Sequence, residues 1–78
     1  MFMVYNFDLE IFATRIKELR NKRGFSTEKL GKAIGVSNAS ITRWERMQRM
    51  PSLENAFNLA HFFGVSIDFL AGKSEANS

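Results

Sequence analysis

The sequence predicts a small all-α domain of five helices, and three kinds of observation support this prediction. Apolar residues recur in several stretches with the period of about 3.6 residues that is typical of helices. A serine or an aspartate, residue types that cap helix N-termini, precedes each of the predicted helices. A glycine follows four of the five stretches, at the position where a helix can end. With 78 residues, the chain has the length of a single domain with a single core.

The first predicted helix begins after Asp8, which is a favourable N-cap residue. Phe7 and Phe12 flank this cap with the spacing of a hydrophobic staple. Basic residues are concentrated in the later part of the helix, where they interact favourably with its C-terminus, and Gly24 ends it. The side chains expected to form its buried stripe are those of Leu9, Phe12, Ala13, Ile16 and Leu19.

Residues 26–45 predict two short helices that are joined by a tight turn. Ser26 caps the first helix, and Gly35 ends it in the left-handed conformation. Ser37 caps the second helix two residues later. Gly31 leaves room for a close approach of the two helices, so we predict a helix-turn-helix. The side chains expected to point inward are those of Leu30, Ala33, Ile34, Val36, Ile41 and Trp44.

The fourth and fifth helices follow after Pro51. Ser52 caps the fourth helix, which Gly64 ends, and Ser66 caps a short fifth helix that Gly72 closes. The buried stripe expected on the fourth helix consists of Leu53, Ala56, Phe57, Ala60 and Phe63. The domain is therefore expected to cover residues 8–72. An apolar N-terminal extension, residues 1–7, precedes it, and a polar tail, residues 73–78, is expected to be disordered.

The composition of the chain excludes several classes of protein. The chain contains no cysteine, which excludes disulfides and thiolate metal sites and fits a reducing compartment. No stretch approaches the roughly 20 apolar residues that a membrane span needs. We therefore expect a cytoplasmic protein without a membrane partner. Neither a cofactor nor a small-molecule ligand is indicated.

Positive charge is concentrated over the predicted helix-turn-helix. Ten of the eleven basic residues lie between Arg15 and Arg49 with only three glutamates, a net charge of +7 in a chain whose total is +3. Alone, this distribution fits solvated helix surfaces as well as it fits a DNA-binding face. Its coincidence with the helix-turn-helix favours double-stranded DNA as the partner.

The order of these signals resembles that of the Cro/CI-type phage repressors, also called the xenobiotic-response-element family. The resemblance covers about residues 12–72 and continues through Pro51-Ser52-Leu53, Leu59-Ala60 and residues 64–70. It implies a lambda-repressor-like domain and a transcriptional regulator, with repression as the expected effect and activation as the open alternative. The residues that carry it in the helix-turn-helix are Ser26, Leu30, Gly31, Gly35, Val36, Ser37, Ile41, Trp44 and Glu45.

The second helix of a helix-turn-helix enters the major groove with its N-terminal part, where exposed side chains meet base edges. The outward positions here are Asn38, Ala39, Thr42 and Arg43. Asn38 can pair with adenine and Arg43 with guanine, whereas Ala39 and the methyl group of Thr42 can touch a thymine methyl group. The alternatives are that Asn38 only supports the helix cap and that Arg43 pairs with a carboxylate.

Other residues are expected to bind phosphates or to hold the domain together. Thr27 lies in the first turn of a helix, where free amides attract anions, although many family members have a longer glutamine there. Arg23 and Lys32 fit solvated surface better than phosphate contacts. The expected phosphate contacts are Thr27, Ser40, Arg46, Gln48 and Arg49. The resemblance also implies an internal ion pair between Arg20 and Glu45.

The resemblance further implies a homodimer whose interface lies around the last two helices. The residues expected there are Phe62, Ile67, Phe69 and Ala71. The apolar residues 1–5 could instead pair as a strand or cover this surface.

A different class of function is an antitoxin-like or adaptor module that holds a protein partner and binds DNA only secondarily. An enzyme is not expected, because His61 is the only histidine and no carboxylates fall at a catalytic spacing.

Overall fold

The computed structural model describes residues 6–73, and over this range it consists of helices and short connections without any strand. The predicted all-α fold of five helices is confirmed. Residues 1–5 of the predicted extension and residues 74–78 of the predicted tail lie outside the described residues. The five helices are α1 (Leu9–Lys22), α2 (Thr27–Ile34), α3 (Asn38–Glu45), α4 (Leu53–Phe63) and α5 (Ile67–Ala71).

Each helix begins at the residue that the sequence predicts as its cap. The side chain of Asp8 accepts a hydrogen bond from the amide of Ile11. The serines at positions 26, 37, 52 and 66 each accept one from the amide three residues later. The end of α1 differs slightly from the prediction, because the helix stops at Lys22 and Arg23 is its cap, with Gly24 just beyond. These bonds satisfy amides that a helix leaves without partners in its first turn.

The core is formed by apolar side chains from all five helices. Phe12 and Trp44 pack edge to face with their ring centroids 6.4 Å apart, which joins α1 to α3. Phe7 packs on Phe12 at 5.2 Å, as the predicted staple requires. Trp44 is therefore a core residue, as the sequence predicts. The side chains exposed by no more than 2% are Phe12, Ile16, Leu30, Ile41, Trp44, Leu59 and Leu70.

Three residues that were predicted to be buried are exposed. On α4, Leu53 is 78% exposed and Phe57 is 55% exposed, and the buried stripe instead consists of Ala56, Leu59, Ala60 and Phe63. Apolar residues cover so wide an arc of α4 that the sequence does not determine which part of it faces the core. Ala33 on α2 is also exposed, because it lies on the side of that helix away from Gly31.

Gly31 sets the distance between α2 and the turn that follows it. A Cβ atom at this position would lie 2.6 Å from the carbonyl oxygen of Val36, a separation that side-chain carbons do not tolerate. The amide of Val36 in turn donates to the carbonyl oxygen of Gly31 at 2.8 Å. Glycine is therefore required for α3 to leave the turn at its observed angle.

Two arginines hold the C-terminal ends of α4 and α5. Arg15 donates to the carbonyl oxygen of Phe69, and its guanidinium lies 4.0 Å from the centroid of the Phe69 ring. Arg23 donates to the carbonyl oxygens of Phe62 and Phe63 at 3.1 and 3.3 Å. Cations are favourable at helix C-termini, where carbonyl groups lack partners. Arg23 is exposed, as its interpretation as solvated surface requires, and it also joins the end of α1 to α4.

Candidate nucleic-acid interface

The outer face of α3 presents the residues that the sequence predicts as base-contacting. Asn38, Ala39 and Arg43 are exposed, and Thr42 is half-buried. Ile41 and Trp44, on the other side of the helix, are buried in the core. The core thus fixes the rotation of α3 about its axis and leaves the polar face in solvent.

Asn38 is held in place by a residue of the preceding helix. The hydroxyl group of Thr27 donates a hydrogen bond to Oδ1 of Asn38, which joins the first turns of α2 and α3. Ser37 makes the cap of α3 with its own side chain, which accepts from the amide of Ser40 at 3.1 Å, so the cap does not need Asn38. Because an amide oxygen can accept two hydrogen bonds, Asn38 can still pair with adenine.

Arg43 is exposed and has no carboxylate within ion-pair distance among residues 6–73. Within these residues, Arg43 therefore does not form the ion pair with a carboxylate that was the alternative to base contact. Its planar guanidinium remains available for a bidentate contact with a guanine edge.

Arg20 and Glu45 form the ion pair that the resemblance implies. Nε of Arg20 lies 2.7 Å from Oε2 of Glu45, and a second guanidinium nitrogen donates to Oε1 at 2.9 Å. A third donates to the carbonyl oxygen of Phe25 at 2.8 Å. The hydrogen bonds to Glu45 raise the pKa of Arg20 above its ordinary value, against the opposing effect of burial. Arg20 therefore holds α3 from behind, and three of its five N–H groups are used within the domain.

Three of the residues predicted to contact phosphates lie in the connection after α3. Arg46, Gln48 and Arg49 are all exposed. The amides of Arg46 and Gln48 donate back to the last turn of α3, which fixes the start of this connection. Ser40, another predicted phosphate contact, shares a hydrogen bond of 3.0 Å between its hydroxyl group and that of Ser37.

A depression of about 250 Å³ lies where α1, α2 and α3 meet on this face. It brings Thr27, Thr42 and Arg46, which are predicted DNA contacts, next to the Arg20–Glu45 pair. Its sixth lining residue is Lys17, which was not among the predicted DNA contacts. The available signal was that Lys17 precedes Arg20 by one helical turn on α1, and so lies on the same face of that helix.

Comparison with known proteins identifies the family of this chain. Residues 16–70 match the sequence profile of the family described as helix-turn-helix. The chain belongs to the helix-turn-helix family. The resemblance to Cro/CI-type regulators is thereby confirmed, since relatives include phage repressors.

Two curated relatives of this helix-turn-helix protein are transcriptional regulators by name. The HTH-type transcriptional regulator ImmR of Bacillus subtilis (strain 168) is 30% identical over 63 residues, which cover 81% of this chain and 50% of ImmR. The cryptic phage CTXphi transcriptional repressor RstR of Vibrio cholerae is 34% identical over 67 residues, which cover 86% of this chain and 60% of RstR. The chain therefore spans between half and about 60% of the length of these relatives.

Solved structures confirm the lambda-repressor-like fold. The P22 c2 repressor, crystallised in complex with a synthetic operator, superposes with a TM-score of 0.76 at 35% identity, over 81% of this chain and 96% of that one. The restriction-modification controller protein C.AhdI of Aeromonas hydrophila gives a TM-score of 0.73 at 35% identity over the same shares.

The residues predicted for a dimer interface are less accessible than the sequence suggests. Phe62, Ile67 and Phe69 are half-buried, and Ala71 is only 9% exposed. Phe62 packs on Phe25 with ring centroids 5.7 Å apart. The large hydrophobic side chains that are exposed in the described part of this helix-turn-helix protein are those of Met47, Met50, Leu53 and Phe57.

Residues 6–73 contain no group of three or more histidines and acidic side chains that could hold a metal ion. None of their helices has the length and apolar character needed to cross a membrane.

Proposed function

We propose that this chain is a transcriptional repressor that acts in the cytoplasm and reads operator DNA in the major groove as a homodimer. The outer face of α3 carries the proposal, because it presents polar side chains that the protein itself leaves available for base edges. The P22 c2 relative, solved with a synthetic operator, supports double-stranded DNA as the partner. ImmR and RstR, named as a transcriptional regulator and a repressor, support regulation as the role.

Base reading is assigned to four side chains of α3. Arg43 pairs with a guanine, and Asn38, oriented by Thr27, pairs with an adenine; each good pair contributes about 1–3 kcal/mol of discrimination. The apolar contacts to thymine methyl groups are assigned to Ala39 and Thr42.

Phosphate contacts surround this reading face and set the position of the protein on the duplex. We assign them to the first turn of α2 and to the connection after α3. Thr27 can contribute its backbone amide even though its hydroxyl group donates to Asn38. The full set is Thr27, Ser40, Arg46, Gln48 and Arg49.

The test is a selection of random duplexes by the purified protein at about 150 mM salt, since lower salt favours non-specific binding. The proposal expects recovery of an inverted repeat. Arg43→Ala should then blur one position in each half-site and leave the others readable. Gln48→Ala is the matched control, because loss of a phosphate contact weakens binding evenly across sequences. Recovery of unenriched DNA would contradict sequence-specific reading.

A second candidate function, protein binding with secondary DNA contact, is favoured by the exposed apolar side chains on α4. Leu53 and Phe57 lie one turn apart on the outer side of that helix and are 78% and 55% exposed. Exposed apolar patches of this kind often mark protein interfaces. A stable partner complex isolated from the source cells, together with an unenriched selection, would support this function over operator reading.

A further inference from the structure

We infer that Lys17 of α1 binds a phosphate of the DNA backbone in the depression between α1, α2 and α3, which Arg46 also lines. The inference rests on the proposed function and adds α1 to the elements that hold the duplex. It also assigns a role to a lysine that lies ten residues before Thr27, outside the helix-turn-helix.

The depression is large enough to admit a phosphate group. Its volume of about 250 Å³ is several times the roughly 30 Å³ that one water molecule occupies in the liquid. It is open to solvent on the same face as the predicted DNA contacts Thr27, Thr42 and Arg46. A backbone phosphate could therefore enter it while α3 lies in the neighbouring major groove.

The charges in the depression favour an anion. Both carboxylate oxygens of Glu45 accept hydrogen bonds from Arg20, so this pair contributes little net charge. Two cations then remain. Lys17 lies on α1, and Arg46 caps the C-terminus of α3. The hydroxyl group of Thr42 adds a hydrogen-bond donor at the border of the depression.

Lys17 is free to make this contact. It is exposed and has no hydrogen bond or ion pair within residues 6–73. A second depression on its other side is bordered by Glu10, Glu18 and Glu45, and none of these carboxylates lies within ion-pair distance of it. A DNA phosphate, whose neutralisation releases condensed counterions, is the stronger competitor for this flexible side chain.

A contact from α1 also restricts how α3 lies in the groove. α1 is fixed to α3 by the Arg20–Glu45 pair and by the packing of Phe12 on Trp44. An anchor at Lys17 therefore limits the tilt of the recognition helix without reading any base. Its effect on affinity should be the same for operator and for unrelated DNA.

The experiment compares Lys17→Ala with Lys22→Ala, which removes the same charge from the same helix. Lys22 is also exposed but borders a different depression, next to Arg15 and Phe69. Binding of each variant to the selected operator and to an unrelated duplex is measured from about 100 to 300 mM salt. A plot of log Kobs against log salt has a negative slope, and the loss of one phosphate contact makes it less steep by about 0.9. We expect this loss on both duplexes for Lys17→Ala and an unchanged slope for Lys22→Ala.

The outcomes separate this inference from the proposed function. Equal slopes for the two variants would overturn the role of Lys17 and leave operator reading intact. A loss confined to the operator would also overturn it, because Lys17 would then read bases. Absence of any salt-dependent binding by the unmodified protein would overturn both. Thermal melting of the two variants, each altered at an exposed position, checks that both are folded.

Discussion

At the scale of single residues, the connection that follows α3 contains a methionine whose backbone conformation is more favourable for glycine. Met47 has a φ of 60° and is the one non-glycine residue with a positive φ in the described part of the chain. Its amide donates to the carbonyl oxygen of Trp44 at 3.1 Å, so this conformation closes the end of α3. A Cβ atom in this region costs roughly 1–2 kcal/mol.

Met47→Gly is therefore expected to raise the free energy of unfolding by about 1 kcal/mol. The gain from relieving the strained conformation is offset in part by the greater freedom of glycine in the unfolded chain. The control is Met50→Gly, because Met50 is equally exposed, at 51%, and lacks the positive φ. Urea unfolding should show a gain for the first variant and a loss for the second. Changes of the same sign in both would contradict the strain at Met47.

Apart from the Arg20–Glu45 pair, which the family resemblance implied, the residue roles that the sequence predicted are those determined within a single helix. The inward position of Trp44 and the outward position of Arg43 follow from the period of α3 alone. The hydrogen bond from Thr27 to Asn38 could not be predicted in this way, because it joins residues eleven apart on different helices. Its formation depends on the angle between α2 and α3, which the contact at Gly31 determines. The position of Lys17 beside Arg46 depends on three helices at once.

At the scale of elements, the number and starts of the helices were predictable because each cap is a local signal of a few residues. The face of α4 was not, since its apolar residues occupy both the buried and the exposed side. Leu53 and Phe57 satisfy the helical period as well as Leu59 and Phe63 do. The packing of α4 against α2 and α5 selects one set, and this selection is a property of the assembled domain.

Arg20→Ala tests how strongly α1 and α3 depend on their ion pair. The two side chains are only 12% and 8% exposed, so removal of Arg20 leaves a largely buried carboxylate at Glu45. We expect a loss of about 3 kcal/mol, near the lower end for buried pairs, and a fall in Tm of more than about 10 °C. Lys22→Ala, at an exposed position, should cost less than about 0.5 kcal/mol. Equal melting temperatures would contradict a structural role for the pair.

The pH dependence of this difference follows from the raised pKa of Arg20. A base whose pKa is higher in the folded state contributes its full stabilisation below the unfolded pKa, and loses it only above the folded pKa. Both values lie far above neutral pH. The gap in Tm between the unmodified protein and Arg20→Ala should therefore persist from pH 7 to pH 10.

At the scale of the whole molecule, one chain presents one recognition helix, so an inverted repeat requires two chains. Half-sites one helical turn apart place two such helices about 34 Å from each other. The self-association surface proposed for this purpose is Phe62, Ile67, Phe69 and Ala71. Arg23 and Arg15 already cover part of the two phenylalanine rings, and Ala71 is largely buried. Ile67 is also half-buried against the core, but its substitution leaves both arginine contacts in place.

Ile67→Lys is expected to abolish cooperative binding to the inverted repeat while leaving the affinity for one isolated half-site unchanged. A charge at the interface opposes association of two chains, whereas α3 and its phosphate contacts remain intact. Phe57→Lys is the comparison, because it places the same charge on the exposed outer side of α4. Light scattering at tens of micromolar and titration of one and two half-sites measure both effects. Loss of cooperativity in Phe57→Lys alone would move the interface to the exposed outer side of α4. Independent binding of two chains to the two half-sites would contradict the homodimer, because the DNA alone would then position the two copies of α3.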